Sequence, residues 1–306
     1  MEGDMKVFDL HCDTLYKYTL GEYSIKQNNG HIIEQALVKG DYLAQSFAIY
    51  IPKDIFLEES FEYFNNQYNL FRKILKDSDV LVSAKTLKDI EKNLKNNKIS
   101  AVLTVENAEL LNRKIERIGY LQECGVKILG LIHNGENCLG FPHTKPNLPL
   151  KDFGKEVVKA VNSNNMVIDV SHLNLAGFWD VANLSNKPFI ATHSCCCEVF
   201  EHSRNLYDDQ IKAIANSGGF VGINFYSAFM NKTGKTQIFD IITHLKHLIK
   251  VGGEDVAALG TDFDGIDCEL FLKTCAEMPL LTDEIIKKFG CRLAEKICFK
   301  NAMRIM

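Results

Sequence analysis

The stretch Lys6-Val7-Phe8-Asp9-Leu10-His11-Cys12-Asp13 decides how this chain is read. Lys6–Leu10 is short, β-rich and apolar on neighbouring positions, the pattern of a parallel strand buried on both faces. It ends at once in an imidazole and a carboxylate. Seven further runs of the same kind follow: Gln45–Ile51, Ala101–Val105, Val126–Ile132, Met166–Val170, Pro188–Thr192, Phe220–Phe225 and Val256–Thr261. Helical patterns lie between them. Phe153–Asn162 has amphipathic spacing, Asp208–Asn216 follows the start signals Asn205 and Asp208, and Ile238–Lys250 stops at Gly252-Gly253. Extra helical material, Glu59–Lys76 and Thr86–Asn96, falls between the second and third runs. Strands alternating with helices predict an α/β chain folded as one (β/α)8 TIM barrel over residues 1–306, with extra helices around 59–96. A doubly wound open sheet is disfavoured, because no Gly-x-Gly-x-x-Gly follows the first strand.

A barrel carries its active site at the C-terminal ends of its strands. Those ends read His11-Cys12-Asp13, Glu106-Asn107, His133-Asn134, Ser171-His172, His193-Ser194, Asn224-Phe225-Tyr226 and Asp262-Phe263-Asp264. A single such residue is more often structural. Imidazoles and carboxylates on nearly every end point instead to a divalent metal site. His11 and Asp13, two apart on an extended strand, point to one side and can reach one ion. His172 and His193 arrive from across the mouth, and Glu106 between the groups can bridge two ions with its two oxygens. Two such ions can share a hydroxide and polarise a scissile carbonyl. Asp262 is then placed to take the proton and pass it to the leaving amine, and His133 to stabilise the developing oxyanion.

The bulk composition narrows the alternatives. The 306 residues are 46% hydrophobic and 24% charged, with a net charge of −4, an ordinary globular balance. No basic patch interleaved with aromatics points to nucleic acid. Met1-Glu2-Gly3-Asp4-Met5-Lys6 lacks the basic start and long apolar run of a secretory signal, and no stretch is long enough to span a bilayer. Cytoplasmic localisation without membrane attachment is therefore expected, with the ten cysteines as thiols, Cys195-Cys196-Cys197 included.

These residues resemble the membrane dipeptidases, also called renal-type dipeptidases, and in particular their shorter bacterial relatives. The resemblance rests on Asp9-Leu10-His11-Cys12-Asp13-Thr14, Val105-Glu106-Asn107, Leu131-Ile132-His133-Asn134, Asp169-Val170-Ser171-His172, Thr192-His193-Ser194, Ser203-Arg204-Asn205-Leu206 with Asp208-Asp209, and Gly260-Thr261-Asp262-Phe263-Asp264-Gly265. They occur in the family's order across nearly the whole chain. The resemblance implies an amidohydrolase-like barrel with a zinc pair: His11 and Asp13 on one ion, His172 and His193 on the other, Glu106 bridging. It implies substrate contacts from His133, Arg204 and Asp262, with Asp262 moving the proton. Arg204 suits the terminal carboxylate of a dipeptide, which its planar guanidinium can hold through paired hydrogen bonds; the alternative is a loop salt bridge with Asp208 or Asp209. The expected reaction is zinc-dependent hydrolysis of free dipeptides, L-L and also L-D. The second reading keeps the metal pair and changes the substrate to another small amide, lactone or lactam. The family's habit suggests a homodimer.

Gly234-Lys235-Thr236 lacks the earlier glycine of a phosphate loop, and Asp262-x-Asp264-Gly265 has its glycine too early for a calcium loop. His244 and His247 are expected on a solvated helix face. Cys12 is expected to point into the barrel wall, away from the metals.

Overall fold

The computed structural model describes residues 5–20 and 24–306. Its main strands are β1 (Val7–Asp9), β2 (Tyr42–Tyr50), β3 (Leu81–Ser83), β4 (Ile99–Glu106), β5 (Val126–Gly130), β6 (Val167–Asp169), β7 (Val221–Ile223), β8 (Lys235–Thr236), β9 (Ala257–Leu259) and β10 (Glu269–Leu270). The central sheet runs β6-β5-β4-β2-β1-β9-β7 and is parallel throughout. Segment 188–192 joins its two edges through parallel bridges, Asp169 to Ile190 and Ala191 to Val221. The sheet thus curls into the expected (β/α)8 barrel. Segment 188–192 pairs over too few residues to form a regular strand. β3, which the sequence reading lacks, pairs only with the start of β4, and β8 pairs with β10 outside the barrel.

Alternation along the strands separates two apolar layers. Phe8, Ala44, Val102, Ile128, Ile190 and Ala258 form one buried cluster. Their neighbours Val7, Ala101, Leu129, Ala191 and Ala257 belong to the other, larger one. This is the period of two expected when one face fills the barrel and the other meets helices. Along β4 the same period carries Val102 and Thr104 on to Glu106 at the mouth.

The helices are amphipathic where they meet this layer. In Ser60–Asp77 the buried positions Ser60, Phe64, Gln67, Phe71 and Ile74 are spaced four and three apart, one buried stripe. Leu87–Lys95 starts at a reciprocal cap: Thr86 Oγ1 accepts from Asp89 N, and Asp89 accepts from Thr86 N. At the far end of the barrel the Asn301 amide donates to the carbonyls of Glu254 and Ala257, tying the C-terminal segment under β9. No helix among the described residues is long and apolar enough to cross a membrane.

Candidate metal centre

The chain leaves the strands sharply at this mouth. Asn107 (φ 69°), His172 (φ 66°), Asp262 (φ 62°) and Asp264 (φ 68°) all adopt left-handed backbone. Such conformations cost a non-glycine residue about 1–3 kcal/mol and persist where the surroundings enforce them. β1 also stops early. Cys12 still bridges Phe263, but Asp13 has already turned to begin the helix Thr14–Thr19. His11 and Asp13 flank Cys12, whose ladder bonds to both neighbouring segments keep this stretch extended, and His11 Nε2 lies 3.4 Å from Asp13 Oδ2.

Glu106 stands between two groups of donors. Its Oε2 lies 3.9 Å from His11 Nε2, which is also 3.8 Å from Asp262 Oδ1. Its Oε1 lies 2.9 Å from His172 Nε2 and 3.5 Å from His193 Nε2. Those two nitrogens are 2.9 Å apart. His133 joins Glu106 and His172 in a further donor group. All of the expected ligands are thus brought together and buried.

The hydrogen bonds on the far sides of the rings fix which nitrogen faces inward. His172 Nδ1 is 2.8 Å from Asn134 Oδ1, an oxygen that can only accept, so the ring proton sits on Nδ1. The amide nitrogen of the same Asn134 donates to His133 Nε2 at 3.3 Å, which leaves the buried His133 Nδ1 carrying a free proton. Thr192 Oγ1 donates to Asp169 and is 2.8 Å from His193 Nδ1, so it accepts from that nitrogen. The inward lone pairs of His172 and His193 therefore face each other and a carboxylate oxygen. Three donors converging without a proton between them suit a cation.

Electrostatics agree. Burial, then the charge of Asp13, pushes the Glu106 carboxyl well above its ordinary range. Burial pulls the His11 imidazole down, but Asp13, Glu106 and Asp262 outweigh it and raise it to about 10. Burial also raises Asp262, to about 7, against the pull of His11. His172 and His193 go the other way, well below the usual range, through burial and neighbouring positive charge. Burial lowers His133 to about 3, so it is neutral. The cluster holds more carboxylate than its protein neighbours can neutralise.

Two further observations fit a metal. His11 Nε2 and Asp13 Oδ1 are buried without a hydrogen-bond partner. Gly265 passes so close that a Cβ there would lie 2.0 Å from Asp13 Oδ2 and 2.6 Å from Asp262 Oδ1. The donor set, imidazole and carboxylate only, is one that zinc and related divalent ions take.

Arg204 lies beside this cluster, 4% exposed. Its Nη1 and Nη2 donate to Ser194 Oγ and the His193 carbonyl, each at 3.2 Å, and its Nε has no partner. The salt bridge with Asp208 or Asp209 is absent: Asp208 binds His247 and Asp209 binds Lys212. A cavity of about 440 Å³ opens on Arg204, lined also by His143, His172, Leu173, Ser194 and Tyr207. A larger recess of about 900 Å³, near Lys26 and Lys73, has no histidine or arginine in its lining among the described residues.

Several supporting residues carried no role in the sequence reading. Asn134 sets the tautomers of two histidines, Thr192 that of a third, and Asn224 Nδ2 donates to Asp262 Oδ2 at 2.8 Å. Each adjoins or ends a quoted strand end, but each also bonds to a residue on another strand: Asn134 to His172, Thr192 to Asp169 and Asn224 to Asp262. Tyr50, at the end of β2, packs its ring 4.6 Å from that of His133. His244 is not on a solvated face as expected. It is fully buried, and its Nδ1 accepts from Cys196 N. The Cys195 and Cys196 thiols contact the Asn224 and His244 carbonyls in the wall, and Cys12 donates to the Ser46 carbonyl there.

The sequence matches the membrane dipeptidase family (Peptidase family M19) over residues 1–306. An uncharacterized Klebsiella pneumoniae protein from the pqqA 5' region is 33% identical over 230 residues, covering 71% of this chain and 85% of that protein. A Schizosaccharomyces pombe protein named an uncharacterized dipeptidase is 32% identical over 178 residues, 56% of this chain and 43% of its own length. Among solved structures, a metallopeptidase named dipeptidase AC superposes with a TM-score of 0.92 at 24% identity, covering 99% of this chain and 98% of its own. A Rhodobacter sphaeroides metallopeptidase, solved with a phosphinate mimic of the dipeptide L-Ala-D-Ala, gives 0.92 at 22% identity with 99% of both chains covered. Matched from end to end, the chain belongs to the membrane dipeptidase family of metallopeptidases.

Proposed function

We propose that the protein is a zinc-dependent dipeptidase that hydrolyses free L-L and L-D dipeptides at this centre. One observation carries the reading: Glu106 presents one oxygen to His11 and the other to His172 and His193. His11, Asp13 and Glu106 would hold one zinc ion, and Glu106, His172 and His193 the other. Bound there, the pair would polarise the scissile carbonyl and lower the pKa of water at the site.

The rest of the chemistry falls to the side chains. Arg204 is a buried cation with no carboxylate within ion-pair distance among the described residues, a costly state that a substrate carboxylate relieves. That pairing anchors the free C-terminus of a dipeptide and leaves little room for a longer peptide. His133, neutral and with its Nδ1 proton free, can donate to the oxyanion as the carbonyl opens. Asp262, with its carboxyl near neutrality and held by Asn224, can take a proton at Oδ1 and return it to the leaving amine.

The test is hydrolysis of an L-L and L-D dipeptide panel by zinc-supplemented protein, with and without chelator. Cleavage that stops on chelation and returns with zinc is expected. An untouched panel, or preference for an uncharged amide, lactone or lactam that dipeptides fail to compete against, would move the assignment to the second substrate class.

A further inference from the structure

Two buried aspartates clamp the two halves of the mouth in parallel fashion. Asp9 accepts from Thr261 N at 2.9 Å and from Thr261 Oγ1 at 2.7 Å, and Thr261 immediately precedes Asp262. Asp169 accepts from Thr192 N at 2.9 Å and from Thr192 Oγ1, and Thr192 immediately precedes His193. Each aspartate also takes a main-chain N–H two residues further along its own strand, His11 N at 3.4 Å and Ser171 N at 2.9 Å. Asp-to-Thr pairing thus ties neighbouring strands together just below the donors in both halves.

The clamps part at one atom. Thr261 Oγ1 otherwise meets only main chain, accepting from Phe263 N at 3.1 Å and lying 3.4 Å from the His11 carbonyl, so that clamp ends in main chain. Thr192 Oγ1 touches the imidazole of the next residue, His193 Nδ1, at 2.8 Å. Its one proton goes to Asp169, so its lone pair must receive the His193 ring proton. The direction of the whole chain, from His193 through Thr192 to Asp169, is set by the carboxylate at its end.

We propose that Asp169 and Thr192 are positioning residues that hold His193 as the Nδ1–H tautomer with Nε2 toward Glu106, whereas Asp9 and Thr261 position main chain alone. This rests on the two-ion reading above. It follows that the Thr192 hydroxyl governs the ion held by His172 and His193, and the Thr261 hydroxyl governs neither ion specifically.

The test is zinc titration of the protein and its Thr192→Val, Thr192→Ser and Thr261→Val variants against a competing chelator, with the melting temperature of each metal-free form. In Thr192→Val one of two dissociation constants is expected to rise about 10- to 100-fold, the usual cost of losing a partner that orients a ligand. Thr192→Ser restores it, and Thr261→Val moves neither constant by more than about threefold even where it lowers the melting temperature as much. Unchanged constants in Thr192→Val, or an equal rise in Thr261→Val, would overturn the proposal. Should wild type take up no zinc, the two-ion reading falls and this inference with it; should it take up two and Thr192→Val keep both, only the inference falls. A long-range ¹⁵N–¹H correlation on metal-free wild type, with His193 assigned by its loss in His193→Gln, reads the tautomer without any clamp variant. Nδ1–H is expected, and Nε2–H would overturn the proposal.

Discussion

The two halves of the candidate metal centre are built from opposite chemistry. On the side of β1 and β9 a single imidazole, His11, faces Asp13, Asp262 and one oxygen of Glu106, and the surplus of carboxylate drives that imidazole up to about 10. On the side of β6 and segment 188–192 two imidazoles share the other Glu106 oxygen, and burial keeps both neutral. The first half attracts a cation by charge, and its donors still lack partners at His11 Nε2 and Asp13 Oδ1. The second attracts one by lone pairs already aimed through Asn134 and Thr192. Similar strand ends thus give unlike sites, because the hydrogen bonds behind the donors differ.

The largest expected effect comes from the residue the halves share. Glu106→Gln should strip both ions, seen by elemental analysis, and lower turnover by more than the about 100-fold that losing a supporting hydrogen bond costs a metal site. If that variant still held one ion firmly, the halves would be independent and the bridging role would be lost.

Arg204 belongs to the imidazole side through its bonds to Ser194 and His193. Arg204→Met should lower kcat/KM for free dipeptides by about 30-fold or more, the low end of the 2–5 kcal/mol expected when one partner of a buried charge pair is removed. Dipeptide amides, which lack the carboxylate, should be cleaved equally by both enzymes. An equal loss on the amides would assign Arg204 to holding His193 instead.

A smaller effect concerns acid. Segment 188–192 of the imidazole half runs on into Cys195-Cys196-Cys197, where Cys196 N donates to His244, which burial lowers to about 4. The unfolded chain binds a proton at this histidine near pH 6.5, and the folded one only near 4. The contribution to stability is therefore full above pH 6.5 and is lost as pH falls towards 4, by at most about 3 kcal/mol. His244→Gln should flatten that part of the stability profile of the metal-free protein measured by denaturant unfolding. An unaltered slope would remove His244 from the account.

The smallest effect lies behind the carboxylate half. Cys12 packs in the wall, donating to the Ser46 carbonyl and accepting from Thr14, so Cys12→Ser should cost about 1 kcal/mol of stability with little change in turnover. Loss of bound metal with the fold intact would contradict that placement.

The sequence made the donors legible and left their supports hidden. His11, Asp13, Glu106, His172, His193 and Asp262 could be found because each follows a short apolar run, and strand ends converge in a barrel whatever the loops do. The roles of Asn134 and Thr192 could not. They depend on which strand lies alongside, and the pairing of segment 188–192 with β6 is fixed only by tertiary contacts. β3 escaped because Leu81–Ser83 is too short and too exposed to show a pattern. His11 and Asp13 are neighbours through their spacing of two, because the ladder runs on through Cys12 before the helix begins. His244 was misjudged because the wide apolar face of its helix, with Ile241, Ile242, Leu245 and Leu248, takes the histidine inside with it.

The proposed function requires one carboxylate, Glu106, to join two unlike half-sites into a working pair. Elemental analysis of zinc-supplemented wild type, paired with dipeptide hydrolysis on the same sample, tests it most directly. Two ions per chain are expected, with activity that disappears as the first ion is removed by chelator. Fewer than one ion per chain, or full activity in its absence, would contradict it.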